Sequence, residues 1–177
     1  MSWVHDGVGR RRSGEPERAD FDAVVAFTAF HWLDPTVRFE KSARLLRDGG
    51  RLGVVATQHV LLADGDQFFA DVQEDYDAVV SDPDNRPPPR PEAVRDLSRE
   101  FAASGRFEEP VVRRYVWAVE YSADTYIDVL DTYSGHRSID PEARERLYER
   151  IRRRIETRPD GRVTKSNLAV LHVARRR

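Results

Sequence analysis

Hydrophobic positions along the chain change period several times, and each change marks a new element. FDAVVAFTAF, residues 21–30, is a near-continuous apolar run, the pattern of a strand covered on both faces in a parallel sheet. It stops at HWLDP, where Asp34 is placed to N-cap a helix with Pro35 at its first position. Phe39, Ala43 and Leu46 then recur at i, i+4 and i+7 as one apolar stripe. Asp48, Gly49 and Gly50 supply the residues that favour a left-handed helix end, and RLGVVAT makes a second short strand. Strand, helix and strand together predict a βαβ unit with a right-handed crossover.

Beyond Thr57 the rhythm differs. Phe68, Phe69, Val72, Tyr76 and Val79 mark an amphipathic helix, and SDPDNRPPPRP is a proline-rich loop that no helix or inner strand accommodates. Val94, Leu97 and Phe101 form another helical stripe, closed by Gly105. VVRRYVWAVEY alternates as a strand, with Tyr115, Trp117, Val119 and Tyr121 on one face. Ser122 is placed to cap a short helix through Tyr126 and Leu130. Asp140-Pro141 opens a longer one through Leu147, Ile151 and Ile155. A turn at RPDG leads into a last strand, VTKSNLAVLHVA. Residues 1–20 are polar, basic and without periodicity, and read as a disordered arm before a single domain over 21–177.

Composition narrows the classes of function. The chain has 177 residues, enough for one domain with a sizeable core. A net charge of -2, from 29 basic and 31 acidic residues, argues against a polybasic nucleic-acid or membrane binder. Cysteine is absent, which removes disulfides and thiolate chemistry. No apolar run reaches membrane-spanning length, so a soluble cytoplasmic protein is the plain reading. Lys41 and Lys165 are the two lysines among the basic residues, an arginine bias that reads as codon usage. His5, His31, His59, His136 and His172 show no metal-ligand spacing, and no metal site is expected.

The segment from Phe21 to Val55 resembles the second half of a class I S-adenosylmethionine-dependent methyltransferase. Phe21-Asp22, His31-Trp32, the run Arg44 to Gly50 and Arg51-Leu52 all fall in register with that family. YSADTYIDVLDTYSGHR and the closing LAVLHVARRR are similar to small-molecule methyltransferases of the trans-aconitate type. The resemblance implies an α/β fold: a partial Rossmann-like methyltransferase domain confined to the family's C-terminal half. Its mixed sheet would have about four strands, two parallel and then an antiparallel pair, with helices on both faces and a helical lid over about 65–104. It implies methyl transfer from S-adenosyl-L-methionine to a small organic acceptor, with the cofactor site incomplete in this chain.

Asp6-Gly7-Val8-Gly9 does not supply the missing glycine turn. A glycine fingerprint needs a strand before it and a helix after it, and MSWVH and RRRSGEPERAD offer neither. The stretch up to Phe21 is also too short for the intervening βαβ units. The alternative reading is a non-catalytic truncated paralogue, or half of a split enzyme, acting as an interaction module. Without its neighbour, strand 21–30 would present an apolar edge, which predicts a homodimer or a complementary chain paired there.

By the resemblance, Ala26, Phe27 and Thr28 would pass backbone close to the donor's methionine part. His31, at the strand end, is the candidate base or positioning residue, because proton removal is needed only when the nucleophile carries a proton. A loop histidine packed by Trp32 fits the same residues. Trp32, Trp117, Tyr133 and His136 are candidates for the acceptor side. Packing in the core accounts equally for the aromatics, and a backbone hydrogen bond in its turn accounts for His136.

Overall fold

The computed structural model describes residues 21–80 and 86–177. The expected N-terminal arm, with Asp6-Gly7-Val8-Gly9, lies outside them. The strands are β1 (Phe21–Phe27), β2 (Leu46–His59), β3 (Val111–Ser122) and β4 (Arg162–Arg175). The helices are α1 (Arg38–Leu45), α2 (Phe68–Asp71), α3 (Gln73–Val79), α4 (Ser98–Ser104), α5 (Ala123–Asp131), α6 (Ser134–Arg137) and α7 (Pro141–Glu156). One four-stranded sheet runs in the order β1-β2-β4-β3. β1 and β2 are parallel, the other neighbours are antiparallel, and helices cover both faces, the mixed α/β arrangement that the family resemblance implies.

Caps decide where several helices begin. Ser122 Oγ accepts from Thr125 N–H and the Thr125 hydroxyl accepts from Ser122 N–H, a reciprocal capping box that starts α5 at the expected residue. Asp140 Oδ1 accepts from Ala143 N–H at 3.1 Å, with Pro141 at the first position of α7. Gly105 ends α4 at φ +65°, a left-handed value that glycine adopts at little cost.

Three expectations about residues 21–50 require correction. Asp34 does not cap α1: its Oδ1 accepts from Thr36 N–H at 2.9 Å and from the Thr36 hydroxyl at 2.6 Å, closing a turn. The helix proper starts at Arg38. Nor do Asp48-Gly49-Gly50 end α1, which stops at Leu45. Gly49, at φ +71°, instead sits in β2 where the register slips between the Phe21↔Leu46 and Ala23↔Arg51 pairs. A bulge uses the same glycine freedom as a helix end, so the residues alone did not separate the two. Third, β1 is not covered on both faces. Val24 and Ala26 pack on the core, while Val25 and Phe27 are 54% and 68% exposed. β1 is an edge strand, with β2 its strand neighbour among the described residues.

The chain divides into two compact units, each with its own core. The first takes the described parts of Met1–Ala56, Asp96–Arg113 and Val170–Arg177. Phe39 is its centre, edge-on to Phe30 at 5.1 Å and to Phe101 at 5.0 Å, with Leu46, Leu52 and Phe107 fully buried. The second takes Thr57–Arg95 and Arg114–Ala169. There α7 buries Leu147, Ile151 and Ile155 completely, on one stripe, against α3 and α5. The helix expected from Phe68 to Val79 is broken at Val72 into α2 and α3, and both Phe68 and Phe69 are buried beside Tyr126.

Candidate functional site

The second unit holds a half-open cavity of about 160 Å3, whose lining includes Arg86 as well as Lys165. α5 and the turn into α6 contribute Tyr126, Tyr133 and His136, α2 and α3 contribute Phe69 and Tyr76, and the ends of β2 and β4 contribute His59 and Lys165. Lys165 is 5% exposed. Its Nζ donates to the Tyr133 hydroxyl at 2.6 Å and sits 5.0 Å from the centre of the Tyr133 ring. The ion pairs of the described residues run through arginines and do not include Lys165. An ammonium ion is therefore held in a half-apolar enclosure by a phenol oxygen and an aromatic face.

Burial disfavours the charged form of both cavity histidines. Burial, with the nearby charge of Lys165, lowers the His59 pKa from 6.5 to about 4. Burial also lowers that of His136, although Asp131 opposes the shift. His136 Nε2 and the Tyr76 hydroxyl are 3.0 Å apart, and the His136 ring stacks on Tyr148 at 5.8 Å. Desolvation pushes Tyr76 and Tyr126 well above the usual phenol range, and Tyr148, bonded to Asp131 at 3.0 Å, is pushed up to about 12. His59 Nε2, Gln73 Oε1 and His136 Nδ1 are buried without a hydrogen-bond partner. Such atoms are uncommon in folded proteins, and here all three belong to residues lining one cavity.

The first unit holds the other candidates. β1 ends at Phe27, and Thr28 follows at φ +47°, its N–H donating to Val55 O at 2.8 Å. A β-branched residue in the left-handed region is a genuine outlier and stores on the order of 1–3 kcal/mol. The 3-10 turn Phe30–Trp32 carries His31 and Trp32, both exposed, with ring centroids 4.8 Å apart. A hollow of about 590 Å3 in this unit is lined by Arg38, Glu40, Glu100 and Arg106. Its charges are already paired, Arg38 with Glu100 and Arg106 Nε with Glu40 at 2.5 Å, which leaves none to recruit a ligand.

Of the residues singled out by sequence, Tyr133 and His136 line the cavity. Trp117 is 42% exposed on β3 and is not among the lining residues. Ala26, Phe27, Thr28, His31 and Trp32 lie together in the first unit. Lys165, His59 and Tyr76 were missed. One signal pointed to Lys165: a lysine inside an apolar strand, in a chain whose basic residues are otherwise almost all arginine. No group of acidic residues and histidines suited to a metal ion occurs among the described residues. None of the helices there is long and apolar enough to cross a membrane.

No family model matches the chain. A 34-residue stretch is 53% identical to an uncharacterized methyltransferase of Mycobacterium bovis, and equally to counterparts in Mycobacterium tuberculosis. That match covers 19% of this chain and spans 14% of the relatives' length. Among solved structures, the YcgJ protein from Bacillus subtilis aligns with 93% of this chain and 68% of its own, at 17% identity and a TM-score of 0.44. Geranyl diphosphate C-methyltransferase from Streptomyces coelicolor, solved with Mg2+, geranyl diphosphate and S-adenosyl-L-homocysteine, aligns with 90% of this chain and 48% of its own. Its identity is 16% and its TM-score 0.33. What the curated relatives share with this chain is that one short segment, and they are named as methyltransferases. The expectation of a likeness confined to the family's C-terminal half is corrected, because the alignments take in about nine-tenths of the chain.

Proposed function

We infer that this chain is an S-adenosylmethionine-dependent methyltransferase acting on a small organic acceptor. The observation that carries the reading is Thr28 at φ +47°, at the C-terminal end of parallel strand β1. In open α/β sheets ligands bind outside the carboxyl ends of the parallel strands, and unfavourable backbone persists where a ligand must be approached closely. The short segment shared with the mycobacterial methyltransferases supports it. An exposed strand end followed by a left-handed residue fits close passage of a donor, and Ala26, Phe27 and Thr28 would hold its methionine part.

S-Adenosylmethionine, when bound, would supply an electrophilic methyl group on a sulfonium, whose transfer to the acceptor's lone pair breaks the carbon–sulfur bond and releases the neutral thioether S-adenosylhomocysteine. The chain's own residues have simpler tasks. The β1 turn orients the donor, and proximity supplies much of the rate. His31, exposed beside Trp32, accepts the acceptor's proton where there is one to lose. Tyr133 and His136 in the second unit, and Trp32 and Trp117, are the residues proposed for the acceptor side, each taken within its own unit.

Isothermal titration of the full chain with S-adenosylmethionine and S-adenosylhomocysteine tests the reading. Saturable binding that weakens at least tenfold in Thr28→Pro, with that variant still folded, is the expected result. A folded wild-type sample that binds neither compound up to millimolar concentration would overturn it.

A further inference from the structure

We propose that the cavity of the second unit is a carboxylate-binding subsite, with Lys165 and Tyr133 as its anion clamp. The inference concerns the second unit alone and does not depend on the methyltransferase reading. Lys165 brings a full positive charge into an enclosure where its hydrogen-bond partner is a neutral hydroxyl. Burying a cation without a counter-anion is costly, and a bound anion recovers that cost. An ammonium group has three donors. One goes to the Tyr133 oxygen, which leaves the Tyr133 hydrogen free to donate to the same anion. His59 lies close enough to feel the lysine's charge, and its unpartnered Nε2 offers a further contact.

Size and lining select the rest of the ligand. Apolar cavities of roughly 150 Å3 take a benzene ring, and this one is about 160 Å3. Phe69, Tyr76 and Tyr126 supply aromatic walls. A planar, small monocarboxylate matches both the charge and the walls. A phosphate shares the charge but is spherical, strongly hydrated and indifferent to aromatic walls.

Benzoate is the probe, titrated into the full chain without cofactor and followed by NMR shifts of the Tyr133 and His136 region. Saturable benzoate binding at least tenfold tighter than that of benzamide, its neutral isostere, is expected. Lys165→Met, which keeps the stem and removes the charge, should cost benzoate at least tenfold and leave benzamide unchanged. Equal binding of benzoate and benzamide to the wild type, or no binding of either, overturns the proposal even if Lys165→Met does not fold. Inorganic phosphate that competes as strongly as benzoate would also overturn it, by making the site a phosphate subsite. Because no cofactor is present, a failure here with intact S-adenosylhomocysteine binding rejects the subsite alone. Benzoate binding without any cofactor binding rejects the methyltransferase reading instead.

Discussion

The β1 turn and the second-unit cavity are unusual in opposite ways. At the turn, the unusual feature is backbone: Thr28 in the left-handed region beside exposed Phe27, with His31 and Trp32 also exposed. In the cavity, backbone is ordinary and the side chains are unusual: a buried lysine, histidines whose pKa is lowered and phenols pushed upward. An exposed site is tuned by conformation because water screens its charges. An enclosed one is tuned by desolvation, because removal of water magnifies every charge.

The sharpest way to break this contrast is to open the enclosure. Ile151→Ala removes a fully buried side chain from the second unit's core and should cost about 2–5 kcal/mol in urea unfolding. The neighbouring ionic knot should cost less. Asp75, 4% exposed, accepts from Arg150 Nε at 3.0 Å and from Arg154 Nε at 2.6 Å. Asp75→Asn leaves both arginines able to reach water, so a loss of about 1–3 kcal/mol is expected, below that for a fully buried pair.

Acidification tests the enclosure without mutation. Folding favours neutral His59, whose pKa falls from 6.5 to about 4, and the His136 shift has the same sign. Between those values the unfolded chain binds protons that the folded chain refuses, so stability rises with pH there. The stabilisation present above pH 6.5 should be lost progressively as pH falls toward 4. Unfolding midpoints at pH 7 and pH 5 measure it, and His59→Gln should flatten the difference. A wild type equally stable at both pH values would mean that the cavity is open to water.

Smaller effects are expected at the turn. Thr28→Gly relieves the left-handed strain while adding glycine's backbone entropy of about 0.5–1 kcal/mol, so stability should hold or rise by about 1 kcal/mol. A loss of more than that would show Thr28 to be a packing residue. Phe27→Lys, on the uncovered face of β1, should change unfolding free energy by no more than about 0.5 kcal/mol.

Local signals with a single physical meaning were legible. Ser122, Asp140-Pro141 and Gly105 mark helix ends at the expected residues because capping involves only neighbours in sequence. Leu147, Ile151 and Ile155 declare a buried face through their spacing alone. Signals with two meanings were not resolved. Gly49 served a bulge instead of a helix end, and Asp34 a turn instead of a cap, since each choice depends on what the next strand or helix packs against. The site divides the same way. Tyr133 and His136 were visible as candidates, while Lys165, His59 and Tyr76 are separated from them and from one another along the chain and meet through folding.

The amino-acid order alone determined the βαβ opening, the helix ends at Gly105, Ser122 and Asp140, the α7 core stripe and the absence of cysteine chemistry, because periodicity and capping act over a few residues. Tertiary structure decided the exposure of β1, the bulge at Gly49 and the enclosure of Lys165 with Tyr133. Burial and desolvation are properties of what surrounds a residue, and that surrounding is assembled from distant parts of the chain.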